Sequence, residues 1–383
     1  MRKIGLYIHI PYCIKKCGYC AFNSNKGKVV PAEYISSLLK EMKWASDLYS
    51  LRGFDVDSIY FGGGTPSLLE SDDVGIIMDC LTRIFNVETE AEVTLEINPA
   101  TADKAKLRSY RLTGINRASI GVQSFNNRYL KVLGRVHNGS DAEKSVNDAV
   151  EAGFDNISID LIFAIEGQSL SDLIEDLKNG LSLGPKHISL YLLSLEEGTP
   201  LFRTAKKGIY TPVDDISQEA LFCAASGFLG DNGFIRYETS NYAKEGCESI
   251  HNTKYWAGDT YLGFGAGAHS YLNDAGWGMR FWNIKAPELY VNQINLNELP
   301  VEGINLLTRE QAIMETVFTS LRMKKGLRND LIKKKFDMDA FEIVSKKAIN
   351  SLPDGIVTVD KEGIKITKEG ALIADEIVAR ILI

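Results

Sequence analysis

Hydrophobic positions in the first two hundred residues recur in a fixed order: a short β-rich apolar run, a polar or glycine-rich loop, then apolar residues at helical spacing. This theme occurs six times, with predicted strands at Ile4–Ile10, Ser58–Phe61, Val93–Ile97, Arg117–Val122, Ile157–Ile165 and His187–Leu193. Apolar residues run nearly unbroken through them, as expected of strands buried on both faces of a parallel sheet. Between them, Tyr34, Leu38, Met42 and Ala45 share one helical face, and Leu170, Ile174, Leu177 and Leu181 share another. Such alternation predicts an α/β fold, either a barrel or an open doubly wound sheet.

The chemistry-bearing residues favour the barrel. Cys13–Cys20, Gly62–Pro66, Glu96–Pro99, Gln123–Phe125, Asp160 and Ser194–Glu197 all follow or close the C-terminal end of a predicted strand. Barrels collect chemistry at that face from many strands, whereas an open sheet concentrates it at one switch point. Six units in place of eight predict a partial (β/α)6 barrel over residues 1–200. From 201 to 300 the alternation stops. Aromatic, glycine and asparagine residues dominate there, which predicts an irregular segment laid over the site. Residues 301–383 form a third unit. Thr308-Arg-Glu-Gln311 is a capping box. A helix near Phe341–Leu352, a hairpin at Ile356–Val359 and Ile364–Thr367, and a final helix complete a winged-helix-like domain. It holds 14 basic and 13 acidic residues, which favours a packing or docking role over nucleic-acid binding.

Bulk properties narrow the function. A net charge of -7 argues against nucleic acid as the main partner. No apolar stretch approaches the ~20 residues of a membrane span, and no secretory signal is visible, so a cytoplasmic protein is expected. In a reducing compartment the six cysteines predict metal binding or chemistry, not disulfides.

Three of them, Cys13, Cys17 and Cys20, fall within eight residues directly after the first strand. A structural zinc site would need a fourth ligand, from His9, Cys80, Cys223 or Cys247. A 4Fe–4S cube held by three thiolates leaves one iron open to a small molecule. The tight triplet favours the cluster over zinc.

Beyond the triplet, the chain resembles the radical S-adenosylmethionine (SAM) superfamily. Gly62-Gly-Gly-Thr-Pro66 stands after the second strand, where that superfamily has its glycine motif. The resemblance narrows to the oxygen-independent coproporphyrinogen III dehydrogenase branch and its haem-chaperone relatives, the HemW group. It implies a 4Fe–4S cluster on Cys13, Cys17 and Cys20. SAM would chelate the open iron and be cleaved reductively to a 5′-deoxyadenosyl radical. The resemblance also implies SAM contacts from Tyr7, Gly63, Gly64, Thr65, Glu96, Gln123, Arg135 and Asp160. Phe22 stands where the dehydrogenase has a further cysteine, and only 12 residues precede Cys13 where it has an extension. His251-Asn-Thr-Lys-Tyr-Trp256 matches the His-Asn-x-x-Tyr-Trp motif of the haem chaperones. These features imply a chaperone that binds haem and transfers it to an acceptor protein, with cluster or SAM gating transfer or homodimer formation. A radical enzyme, either the dehydrogenase or a heterocycle methylase, is the alternative. His251 is the expected haem ligand, with Cys247 as an alternative. Glu166 departs from the proline usual at its position, which predicts a less rigid loop.

Overall fold

The computed structural model describes residues 2–48, 54–336 and 338–382. Six parallel strands pair in chain order: β1 (Arg2–Ile10), β2 (Phe54–Gly63), β3 (Asn86–Ile97), β4 (Arg117–Gln123), β5 (Asn156–Phe163) and β6 (His187–Leu192). Helices α1 (Ala32–Leu48), α2 (Ser71–Ile84), α3 (Lys104–Leu112), the pair α4 (Asn127–Leu133) and α5 (Gly139–Glu151), and α6 (Leu170–Ser182) link consecutive strands. Their apolar faces cover the outside of the sheet. The partial barrel is therefore present, with all six predicted strands in place.

The strands differ from the sequence expectation in one respect. Their apolar residues do not fill both faces but alternate. Ile4, Leu6, Ile8 and Ile10 of β1 join the core under the helices, as do Val93, Leu95 and Ile97 of β3. The intervening residues face the barrel interior, which is polar and aromatic: Tyr7 and His9, Ser58 and Tyr60, Glu92, Thr94 and Glu96, Arg117 and Ser119, Ser158 and Asp160. Register places them side by side, with Tyr7 opposite Tyr60, Glu96 opposite Ser119, and Ser158 opposite His187. Tyr and Thr read as strand formers on either face, so the period-2 signal was diluted.

Residues 201–300 depart further from expectation, because they are regular. After α7 (Pro200–Lys206) and α8 (Asp215–Asp231), short strands β7 (Ile235–Arg236) and β8 (Asn241–Ala243) extend the sheet beyond β6. On the other side β9 (Tyr261–Phe264) pairs parallel with β1, Gly5 opposite Tyr261. From it, β10 (His269–Leu272), β11 (Met279–Asn283) and β12 (Val301–Leu306) continue antiparallel, giving a 12-stranded mixed sheet. Helix α9 (Ile250–Ala257) lies between β8 and β9 in the chain, and α10 (Pro287–Asn295) between β11 and β12. A buried carboxylate locks this extension to α1. Glu41 accepts hydrogen bonds from Tyr290, Asn283 and the Gly265 amide.

The C-terminal module packs its own core, with Val317, Leu327, Ile332, Phe336, Ile364 and Ile377 all buried. It consists of α11 (Arg309–Ser320), a short strand Leu327–Arg328, α12 (Asn329–Phe336), α13 (Met338–Ser351), a hairpin Val357–Val359/Gly363–Ile366, and α14 (Ala374–Leu382). The Thr308 capping box forms, with its hydroxyl accepting from the Gln311 amide. Helix α12 was missed at the sequence level, since eight residues carrying Lys333-Lys334-Lys335 give little apolar period.

Candidate functional site

At the C-terminal end of the barrel strands lies a cavity of about 590 Å³. Ten of the twelve residues expected to bind cluster or cofactor line it: Cys13, Cys17, Cys20, Gly63, Gly64, Thr65, Glu96, Gln123, Arg135 and Asp160. None of its lining residues comes from beyond Glu196. The segment 201–300 therefore does not cover this site.

The cysteine loop is held by backbone. Gly18 donates to the Leu133 carbonyl and accepts from the Leu201 amide, and Gly27 donates to the Cys13 carbonyl. Asn23 donates its amide to the Ala266 and Lys285 carbonyls, which ties the loop to the sheet extension. All three thiols are free and partly exposed. The Thr65 hydroxyl lies 3.4 Å from Cys13 Sγ and an Arg135 Nη lies 3.5 Å from Cys17 Sγ. Burial, with its two neighbouring thiols, holds the Cys20 thiol above its usual range. Three thiols around one cavity, with donors aimed at their sulfurs, fit a 4Fe–4S cluster, whose properties such hydrogen bonds tune.

The glycine motif has two separate tasks. Gly63 has φ +114°, a conformation costly for other residues, and its amide donates to Glu96 Oε2 at 3.1 Å. Gly64 packs on the backbone that leads into the cysteine loop. A Cβ there would meet Tyr12 O at 2.6 Å and Tyr12 N at 2.8 Å. The motif thus seats the thiol loop as well as lining the cavity.

Acidic and basic groups then face each other across the cleft. Glu96 also accepts from Tyr60 Oη at 2.9 Å. Burial pushes its carboxyl up to about 7, the Tyr60 bond opposes that, and Asp160 adds to it. Asp160 accepts from the Ser119 hydroxyl and is likewise raised by burial. Arg135, directly after the left-handed Gly134, donates to Asn98 Oδ1 at 2.6 Å and to the Gly121 carbonyl at 2.9 Å. Its Nε is buried without a partner. Gln123 holds φ +67°, a strained conformation of the kind that clusters at binding sites. Carboxylates for hydroxyls or a cationic centre, a guanidinium with a donor to spare, and a glycine backbone suit a zwitterionic, ribose-bearing sulfonium. Tyr60, Asn98 and Ser119 were not picked out from the sequence. Tyr60 precedes Gly62 by two, Asn98 follows Glu96 by two, and Ser119 precedes Gly121 by two, so period-2 counting from chosen residues would have found them.

The other two expected residues lie deeper. Tyr7 sits below the cavity, its hydroxyl 3.0 Å from His9 Nδ1 and its ring stacked on Tyr60. His251 lies at the opposite end of the barrel, on α9, with no exposed surface. Its Nδ1 is 3.1 Å from the Ser58 hydroxyl and its Nε2 is 2.9 Å from the Tyr255 hydroxyl. Tyr60 stacks on the ring at 5.2 Å. Burial, with Lys254 and Arg117 nearby, pushes the imidazole down to about 3. The expected haem ligand therefore has both ring nitrogens within hydrogen-bond distance of hydroxyls and lies away from the cavity.

Helix α9 instead plugs the barrel floor. Glu92 accepts from the Ser249 hydroxyl and from the Ile250 and His251 amides, and it lies 3.9 Å from Arg117. Lys254 pairs with Asp57 at 2.8 Å. Trp256 lies under the Arg322 guanidinium of the C-terminal module. The aromatic motif thus fastens α9 between barrel and module. The other candidate ligands are dispersed too. His9 is engaged through both nitrogens, by Tyr7 and by the Asn23 carbonyl. Cys80, Cys223 and Cys247 do not line the cavity. Glu166 is anchored, its amide donating to Tyr210 and its carboxylate accepting from the Thr211 amide.

Comparison with known proteins agrees with this geometry. Residues 7–179 match the Radical SAM superfamily and residues 307–373 match the HemN C-terminal domain. The chain is 33% identical to the zebrafish (Danio rerio) mitochondrial protein named radical S-adenosyl methionine domain-containing protein 1, over 99% of this chain and 87% of that protein. It is 32% identical to the haem chaperone HemW of Bacillus subtilis, over 97% of each. Its fold is similar to the structure of Escherichia coli coproporphyrinogen III oxidase HemN, with a TM-score of 0.83, 24% identity, and coverage of 99% of this chain and 90% of that one. With a complete thiol triplet at the mouth of a six-stranded barrel and kinship running from end to end, the chain belongs to the radical SAM superfamily and, within it, to the HemW family.

Proposed function

We propose that the protein is a haem chaperone that binds haem and passes it to an acceptor protein. On this reading it carries a 4Fe–4S cluster on Cys13, Cys17 and Cys20, with exchangeable SAM held by the surrounding residues. The observation that carries the reading is full-length similarity to proteins named as haem chaperones, covering barrel, extension and C-terminal module together. Composition of the cleft supports it. Phe22, Tyr191 and Leu192 are exposed at its rim beside Lys15 and Lys16. Flat apolar surface next to ammonium groups suits a porphyrin bearing carboxylates, so we place haem at this rim and not at His251.

A cluster of this kind supplies a single electron at low potential. Thr65 and Arg135 would tune its sulfurs. Glu96, Asp160, Gly63, Gly64 and Gln123 would orient SAM, and Arg135 would meet a carboxylate with its spare Nε. We place the protein in the cytoplasm. Among the described residues no helix is long and apolar enough to cross a membrane.

A second reading, a radical enzyme acting on a porphyrinogen or another heterocycle, is favoured by one observation: seven of the eight expected SAM residues, all but Tyr7, line one cavity. Anaerobic reconstitution with iron and sulfide separates the two. The chaperone takes up haem stoichiometrically and forms no protoporphyrinogen from coproporphyrinogen with SAM and reductant. Turnover would replace it with the enzyme. Cys17→Ala should bring bound iron to background while leaving the melting temperature of the metal-free protein nearly unchanged.

A further inference from the structure

The C-terminal module is balanced in charge along the sequence but not in space. Four of its 13 acidic side chains are paired with arginines: Glu315 with Arg280, Asp330 with Arg328, Asp375 with Arg322 and Glu376 with Arg380. Five of its ten lysines converge on one recess. Lys324, Lys325, Arg328, Lys333, Lys361 and Lys365 line a single cleft of about 730 Å³. They come from the turn after α11, the strand Leu327–Arg328, helix α12 and the hairpin.

The walls of this cleft are fastened by backbone. Arg328 stands in register with Gly363. The Asn329 amide donates to the Glu362 carbonyl at 2.9 Å, and its side chain donates to the Lys361 carbonyl at 2.8 Å. Arg328 is paired with Asp330. Among the described residues, the five lysine ammonium groups make no hydrogen bond or ion pair with the protein. The five lysines outnumber the carboxylates beside them, Glu362 in the lining and Asp360 next to Lys361 and Lys365, and an anionic ligand complements the surplus. The arrangement stands out in a chain of net charge -7.

We propose that this cleft docks an acidic segment of a partner protein. The lining is wholly charged or polar, so it offers no aromatic platform for stacked bases and no apolar anchor for a lipid surface. Its cations are mainly lysines, flexible point charges, and its one arginine fork is taken by Asp330, which disfavours bidentate phosphate recognition. Helix α13, where a winged-helix module would read DNA, exposes Ile343 and Ile349. An extended run of carboxylates fits the recess. The inference is independent of the haem reading.

The test uses the full-length protein and a fluorescein-labelled ten-residue oligoglutamate peptide, followed by anisotropy at low salt. Binding is expected, and it should weaken about tenfold or more in the triple variant Lys325→Glu, Lys361→Glu, Lys365→Glu and as salt is raised. All three lysines are exposed, so folding is preserved. A control reversing the exposed Lys131, Lys178 and Lys207 changes net charge equally and should shift affinity less than about twofold. Equal loss in both variants, or no peptide binding at all, overturns the proposal. So does tighter binding of duplex DNA, or of phosphatidylserine vesicles, that is lost in the cleft variant alone.

Discussion

Both ends of the barrel interior are polar. At the mouth, Arg135 keeps an unpartnered Nε, Gln123 holds a strained backbone, and three thiols face a cavity of about 590 Å³. At the floor, His251 uses both ring nitrogens, Glu92 accepts three hydrogen bonds, and Lys254 is paired with Asp57. The residue types are similar, and each end leaves a buried guanidinium partly unmet, Arg135 Nε at the mouth and Arg117 Nε and Nη1 at the floor. What differs is open space: the groups at the mouth line a cavity, whereas His251 and its aromatic neighbours fill the floor.

Substitutions at the two ends should therefore separate stability from binding. The largest effect belongs to the floor. Glu92→Ala removes the cap of α9 and leaves Arg117 without a buried counter-charge, which should cost about 3–5 kcal/mol in denaturant unfolding. A loss under about 1 kcal/mol would mean that α9 is not seated as described. His251→Ala should cost about 3 kcal/mol through its cavity and the stranded Ser58 and Tyr255 hydroxyls, with haem affinity unchanged within about twofold. A collapse of haem binding in a folded variant would return His251 to the ligand set.

The same histidine sets an acid limit. Its folded-state value is depressed from 6.5 to about 3, so the neutral form is the folded one. The stabilisation is complete above 6.5 and is lost as pH falls from there toward about 3. Linkage gives roughly 2 kcal/mol by about pH 5, and His251→Gln should flatten that part of the stability profile. Smallest in energy is the mouth. Glu96→Gln should weaken SAM binding about tenfold, near 1.4 kcal/mol, with a melting temperature unchanged or raised because a buried charge is removed. A destabilised Glu96→Gln protein with normal SAM affinity would erase the contrast between the ends.

The sequence made the mouth legible because its parts are local and ordered. Cys13–Cys20, Gly62–Pro66, Glu96, Gln123 and Asp160 each follow or close a strand, and the six strands pair with their neighbours in order. The floor was not legible, because its contacts are remote in the chain. His251 meets Ser58 across 193 residues, and Glu92 caps a helix 157 to 159 residues away. The extension was missed because β7 to β10 have two to four residues each, too short for a period to show. Likewise, counting charges in residues 301–383 returned neutrality, because lysines from the turn after α11, helix α12 and the hairpin meet only in the fold.

One feature bears on how the molecule comes into being. Strand β1 lies between β2 and β9, and its partner across that second edge, Tyr261 opposite Gly5, is 256 residues downstream. On the ribosome, β1 through β6 can assemble long before β9 is made, but the outer edge of β1 stays unpaired until then. Asn23, which anchors the thiol loop to Ala266 and Lys285, is equally without its partners during that interval. The cysteine loop is therefore translated early and shaped late. The anchoring of that loop thus depends on residues from the last third of the chain.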